Sequence, residues 1–134
     1  MRNKTLLTAI ILLLLWLCAC TPLDTVTVTR VIDGERIVVS PGQEVRYIGI
    51  DAPEVHPVPE AYGKEVRLER DVSDTDEHSH LLRYAYVDNI LVNAELVRLG
   101  MAEAEAYPPD TKSQSYLEGL EEVARGSGRG MWAK

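Results

Sequence analysis

Residues 45–54, VRYIGIDAPE, constrain the chain more than any other stretch, because they turn an apolar strand into a corner that holds two carboxylates. Val45, Tyr47, Ile48 and Ile50 are strand formers, and Arg46 alternates with them onto the opposite face. Gly49 leaves room for another backbone to approach closely. Pro53 fixes its own φ and biases Ala52 away from helix, so the strand over 45–50 is expected to end there. Asp51 and Glu54 then stand beside Arg46 as a hard metal ligand, a base for water and a cationic clamp, the parts that metal-assisted attack on a phosphodiester requires. An ordinary turn with solvated acids contains the same residue types, and these ten positions alone leave both readings open.

The rest of the chain reads as short strands followed by helices. Residues 25–32 alternate as a strand, Asp33-Gly34 bends, and 36–40 return to the Pro41-Gly42 turn, while 66–71 and 81–87 give two further strands. With 45–50 this makes five, which fits a small closed barrel. Asn93 is expected to cap a helix that ends at Leu99 before Gly100. Residues 113–125 are expected to form a second helix, with Leu117, Leu120 and Ala124 on one stripe, Gly126 as its stop and Trp132 in the core beyond it. Composition alone gives only a mixture of α and β.

Along the chain, VTRVIDGERIVV precedes VRYIGIDAPE, and YGKE (62–65), LLRYAYV (81–87), LVNAELVRLG (91–100), YPPD (107–110) and GMW (130–132) follow it. This ordered set resembles the staphylococcal nuclease-like (thermonuclease) family, whose members carry IDGDT followed by VRLIGIDTPE or VRLIGIDAPE. The resemblance covers almost all of the chain after residue 24. It implies an α+β fold, a five-stranded OB-fold barrel with two helices packed beside it, and a calcium-dependent endonuclease that hydrolyses phosphodiester bonds of DNA or RNA. It also implies that Asp51 is a calcium ligand, that Glu54 is the general base and that Arg46 is the first phosphate-binding arginine. Tyr62 and Tyr107 match aromatics near the nucleotide pocket, where each ring either stacks on a base or packs.

The departures from the family pattern fall at the site. Glu35 stands where the family has a second metal-binding aspartate, and its extra methylene adds roughly 1.5 Å of reach, enough to crowd the ion. Arg36 replaces a threonine and adds positive charge beside it. His80 occupies the position of the second arginine, and an imidazole cannot give the bidentate clamp of a guanidinium. Arg83 is no ready substitute, because a three-residue step on a strand points to the opposite face. Losing one such donor commonly costs roughly a hundredfold in rate, so any activity is expected to be weak. Relatives also place a helix after YGKE that this chain omits, which is expected to expose apolar barrel surface. Asp74, Asp76, His78 and His80 alternate as a zinc or other transition-metal candidate, although polar loops gather such residues without a metal. His56 reads as a surface residue.

Residues 1–4 are basic and 6–17 form an uncharged apolar run, too short to span a membrane, so 1–19 read as an export signal. Its end, Leu17-Cys18-Ala19-Cys20, looks like a bacterial lipobox that would leave Cys20 for lipidation, with 20–24 as the lipidated Cys and a short linker and 25–134 as the domain. The expected product is an exported bacterial lipoprotein anchored to a cell envelope membrane, with simple secretion or an uncleaved anchor as the alternatives. It would retain no thiol for a disulfide.

The chain carries 14 Lys and Arg against 21 Asp and Glu, a net charge of −7, and losing Arg2 and Lys4 with the signal makes it more negative still. A polyanion is repelled overall, so a nucleic acid would need a local patch, for which Arg36, Arg46, Lys64 and Arg67 are the candidates. Two functions remain: a weak nuclease, or a catalytically impaired OB-fold lipoprotein that binds nucleic acid or an envelope partner through the same groove.

Overall fold

The computed structural model describes residues 24–54 and 62–134. The expected signal, Cys20, the linker before Asp24 and His56 lie outside them. No helix among the described residues is long and apolar enough to cross a membrane. The elements are β1 (Asp24–Val31), β2 (Arg36–Val39), β3 (Gln43–Tyr47), β4 (Ile50–Asp51), β5 (Glu65–Glu69), β6 (Leu81–Val87), β7 (Ile90–Leu91), α1 (Val92–Arg98), β8 (Glu103–Ala104) and α2 (Gln114–Gly126), followed by a 3-10 turn at Gly130–Trp132.

Five strands close into the expected OB-fold barrel. β1 pairs antiparallel with β2 and β5, β2 with β3 and β5 with β6, while β3 meets β6 in parallel and shuts the ring. β1 is bulged, with Val28 facing Val39 but Arg30 facing Val38, and the shift bends the strand. Its first residues pair with β5 and its later ones with β2. Alternation sends Ile37, Val39, Val45, Tyr47 and Val66 inward, where they meet Ala94 and Val97 of α1 and Leu117 of α2.

The apolar run 45–50 is not one strand. β3 stops at Tyr47, Gly49 takes φ +80°, and Ile50–Asp51 pair instead with Glu103–Ala104. The cause is packing as well as torsion, since a Cβ on Gly49 would lie 2.7 Å from Leu117 Cδ1. Asn93 is not a cap either. It sits inside the first turn of α1, fully buried, where its side chain accepts from the Ala85 N–H at 3.0 Å and donates to the Ile48 carbonyl at 2.8 Å. Gly100, at φ +70°, does end that helix as expected.

β5 begins at Glu65, one residue earlier than expected, and ends at Glu69. No helix separates Gly63 from Leu81 among the described residues. The strand residues that line the barrel are nevertheless covered; the exposed apolar side chains include Ile90 and Tyr116, which flank a groove of about 250 Å³ between β7, α1 and α2. Trp132 is half-buried rather than core, with the Arg125 guanidinium 3.8 Å from its ring centre. The loop between β5 and β6 is held from the far side by Asp110, whose Oδ1 accepts from the Val72 and Ser73 N–H groups at 2.8 and 2.7 Å.

Candidate active site

Two turns, β3 and the segment 105–107 converge at one corner of the barrel. Asp33 shapes the β1–β2 turn: its Oδ1 accepts from the backbone N–H groups of Glu35 and Arg36 at 3.0 and 2.8 Å. Its Oδ2 takes the Arg36 guanidinium, at 2.7 Å from Nε and 2.6 Å from Nη2. Arg36 is therefore turned toward Asp33, and its added charge is largely neutralised beside the corner. The Asp33 hydrogen bond raises the Arg36 pKa further above its ordinary value.

Gly34 lets this turn touch the turn after β4, since a Cβ on it would lie 2.7 Å from Ala52 Cβ. The close approach sets Glu35 against residues 51–52. Its Oε2 accepts from the Ala52 N–H at 3.3 Å and its Oε1 lies 3.6 Å from Arg46 Nη2. Burial pushes the Glu35 carboxyl above its ordinary pKa, and the nearby Asp51 and Asp33 carboxylates add to this; Arg46 and the Ala52 amide pull the other way. Asp51 and Glu54 are exposed at the rim.

Arg46 projects from β3 opposite Arg36. Its guanidinium is also 4.0 Å from Glu105 and 5.6 Å from the ring centre of Tyr107. Tyr107 thus joins the corner. Tyr62 is 69% exposed beside the Gly63–Val28 contact, and no ring or hydrogen-bond contact among the described residues ties it to Arg46. Of the four cations considered for a patch, Arg36 and Arg46 are cross-strand partners. Arg67 lies on β5, stacked 3.8 Å from the centre of the Tyr86 ring and paired with Glu69, and Lys64 is exposed ahead of that strand.

His80 is committed elsewhere. Its Nδ1 is 2.9 Å from Asp76 Oδ2 and its Nε2 is 3.0 Å from Glu44 Oε2, and Glu44 precedes Arg46 by two residues on the same face of β3. The Arg83 guanidinium donates to the Asp74 carboxylate at 2.7 Å and to the Asp74 carbonyl at 2.9 Å, so it does not replace the second arginine. Sequence reading missed Asp33, Glu44 and Glu105 as members of this neighbourhood. Glu44 and Glu105 each left a signal, two residues before Arg46 and Tyr107 and so on the same side of an extended segment.

The barrel and its corner define an OB-fold protein with acids and an arginine gathered at one end of β3. A family model described as Staphylococcal nuclease homologue matches residues 44–134, and the chain belongs to that family. It is 32% identical over 127 residues to a thermonuclease of Staphylococcus intermedius, a match that covers 80% of this chain and 75% of the relative. It is 33% identical over 130 residues to endonuclease YncB of Bacillus subtilis (strain 168), and 32% identical over 130 residues to the SPbeta prophage-derived endonuclease YokF of the same organism. Those matches cover 81% of this chain but only 62% and 44% of the two relatives.

Proposed function

We propose that the chain is a weak, calcium-dependent phosphodiesterase acting on DNA or RNA. The observation that carries this reading is the meeting of Glu35, Arg46 and the 51–52 turn, with Asp51 and Glu54 at its open rim. The donors suit a hard cation: Glu35 and Asp51 offer carboxylate oxygens, and Gly34 lets the two turns that carry them touch. Bound there, calcium would polarise a phosphoryl oxygen. Arg46 then holds the phosphate by exchanging its loose contacts with Glu35 and Glu105 for a charge-assisted pair, and Tyr107 offers a face to the adjoining base. Glu54, exposed at the rim, takes the proton of the attacking water.

Weak activity follows from the neighbours. Glu105 competes for Arg46, and His80 is held between two carboxylates instead of facing a phosphate. The same contacts favour the second reading, an OB-fold protein that binds a ligand without cleaving it. A lipid tether at Cys20, bringing the domain to a cell envelope membrane, is part of the proposal. The test is cleavage of single-stranded DNA and of RNA with calcium and with chelator. Calcium-dependent cleavage that falls roughly a hundredfold in Arg46→Ala supports the reading. Intact substrate under every condition, from a protein that still binds it, would give the second reading its place.

A further inference from the structure

We propose that Asp76, His78 and His80 bind a divalent transition-metal ion of the zinc class, at a site separate from the corner that holds Asp51. Each residue offers one donor atom, and these atoms all lie within 4.8 Å of one another. Donors on one tetrahedral zinc, at bond lengths near 2.0–2.1 Å, lie roughly 3.3 Å apart, so a modest rotation of the exposed His78 completes the set. The turn is already shaped for it. Ser79 takes φ +67°, and the Asp76 N–H donates to the His80 carbonyl at 3.0 Å, which folds His80 back over Asp76.

The division of labour within the site carries the argument. The Asp76 side chain is only 2% exposed, and its Oδ1 accepts from the His78 and His80 N–H groups, each at 2.9 Å. That leaves Oδ2 facing His80 Nδ1 at 2.9 Å. His80 Nε2 meets Glu44 Oε2 at 3.0 Å, so carboxylate oxygens face both ring nitrogens. A neutral imidazole has one donor and one acceptor, and cannot satisfy both. A metal at Nδ1 resolves the conflict. Nε2–H then donates to Glu44, as the second nitrogen of a metal-bound histidine ordinarily does to a carboxylate, and the Nδ1 lone pair shares the ion with Asp76 Oδ2. The His78 ring stacks on His80 with centroids 5.7 Å apart, and its exposure leaves an entry path and room for water as a further ligand.

Calorimetric titration of the detergent-purified protein with zinc alone tests this. One zinc per chain is expected, retained in Asp51→Ala, retained in a variant of the third histidine, His56→Ala, and not displaced by excess calcium. His78→Ala, at an exposed position that should fold normally, is expected to abolish it. Glu44→Gln should weaken it about ten- to hundredfold. Zinc binding unchanged in His78→Ala, or no zinc bound by the native chain, would overturn the proposal.

Discussion

Replacing Asn93 with Ala should destabilise the domain by about 2–4 kcal/mol. The residue is fully buried, and its carboxamide joins the Ala85 N–H of β6 to the carbonyl of Ile48, just ahead of the turn that presents Asp51. Alanine strips the partner from one buried donor and one buried acceptor. Each such orphan costs about 1–3 kcal/mol, and the vacated volume offers room for one water, which holds the sum below its upper limit. For a domain slightly over a hundred residues, about 4 °C is lost per kcal/mol, so the melting temperature should fall by roughly 8–16 °C. Urea unfolding followed by circular dichroism measures this, with an unchanged m-value expected. Asn93→Asp keeps the acceptor for Ala85 but sets a carboxylate against the Ile48 carbonyl, and should be no better tolerated. A loss below about 0.5 kcal/mol in the alanine variant would refute the reasoning, because two buried backbone groups cannot lose their partners so cheaply.

Gly49→Ala should cost about 1–3 kcal/mol, since it meets both the +80° φ and the Leu117 contact at 2.7 Å; thermal unfolding reads it. Glu35→Gln should raise the melting temperature at neutral pH. The Glu35 pKa is raised in the folded state, so its contribution to stability is full below the unfolded value and is lost as pH rises through the folded one. The gain of the variant over the native chain should accordingly vanish in acid, and a gain independent of pH would contradict the assignment. Glu35→Asp combined with His80→Arg should restore the shorter ligand and the second guanidinium, with a more than additive gain of at least about tenfold in cleavage, or about 1.4 kcal/mol. Because Glu44 and Asp76 stand ready to capture the new guanidinium, adding Glu44→Gln should enlarge that gain.

The barrel was legible because its strands alternate and its turns are marked by Asp33-Gly34 and Pro41-Gly42. The two helices were legible from the Leu117–Ala124 stripe and from Gly100. What stayed hidden depends on partners distant in sequence. Ile48 and Ile50 look like one strand with Val45, and the +80° φ of Gly49, with Leu117 packed against it, breaks it. Asn93 has the composition of a cap, and its role as a buried pin emerges only when β6 and the end of β3 lie beside it. Within the site, Glu35, Arg46, Asp51 and Tyr107 were chosen from motifs and lie around one corner. The capture of Arg36 by Asp33 and of His80 by Glu44 was not visible, because ion pairing depends on cross-strand register and side-chain direction. Trp132 was placed too deep, since its ring serves as a platform for Arg125 at the surface.

The central claim, that this corner still performs phosphodiester hydrolysis, is tested most directly by single-turnover cleavage of a bound single-stranded oligonucleotide in calcium, comparing the native chain with Glu54→Gln. Glu54 is exposed at the rim, so the substitution should leave folding and oligonucleotide binding unchanged. The account predicts a fall in the cleavage rate of about a hundredfold or more, the ordinary contribution of a positioned base. Equal rates in the two proteins, or no cleavage by the native chain with its oligonucleotide fully bound, would contradict it.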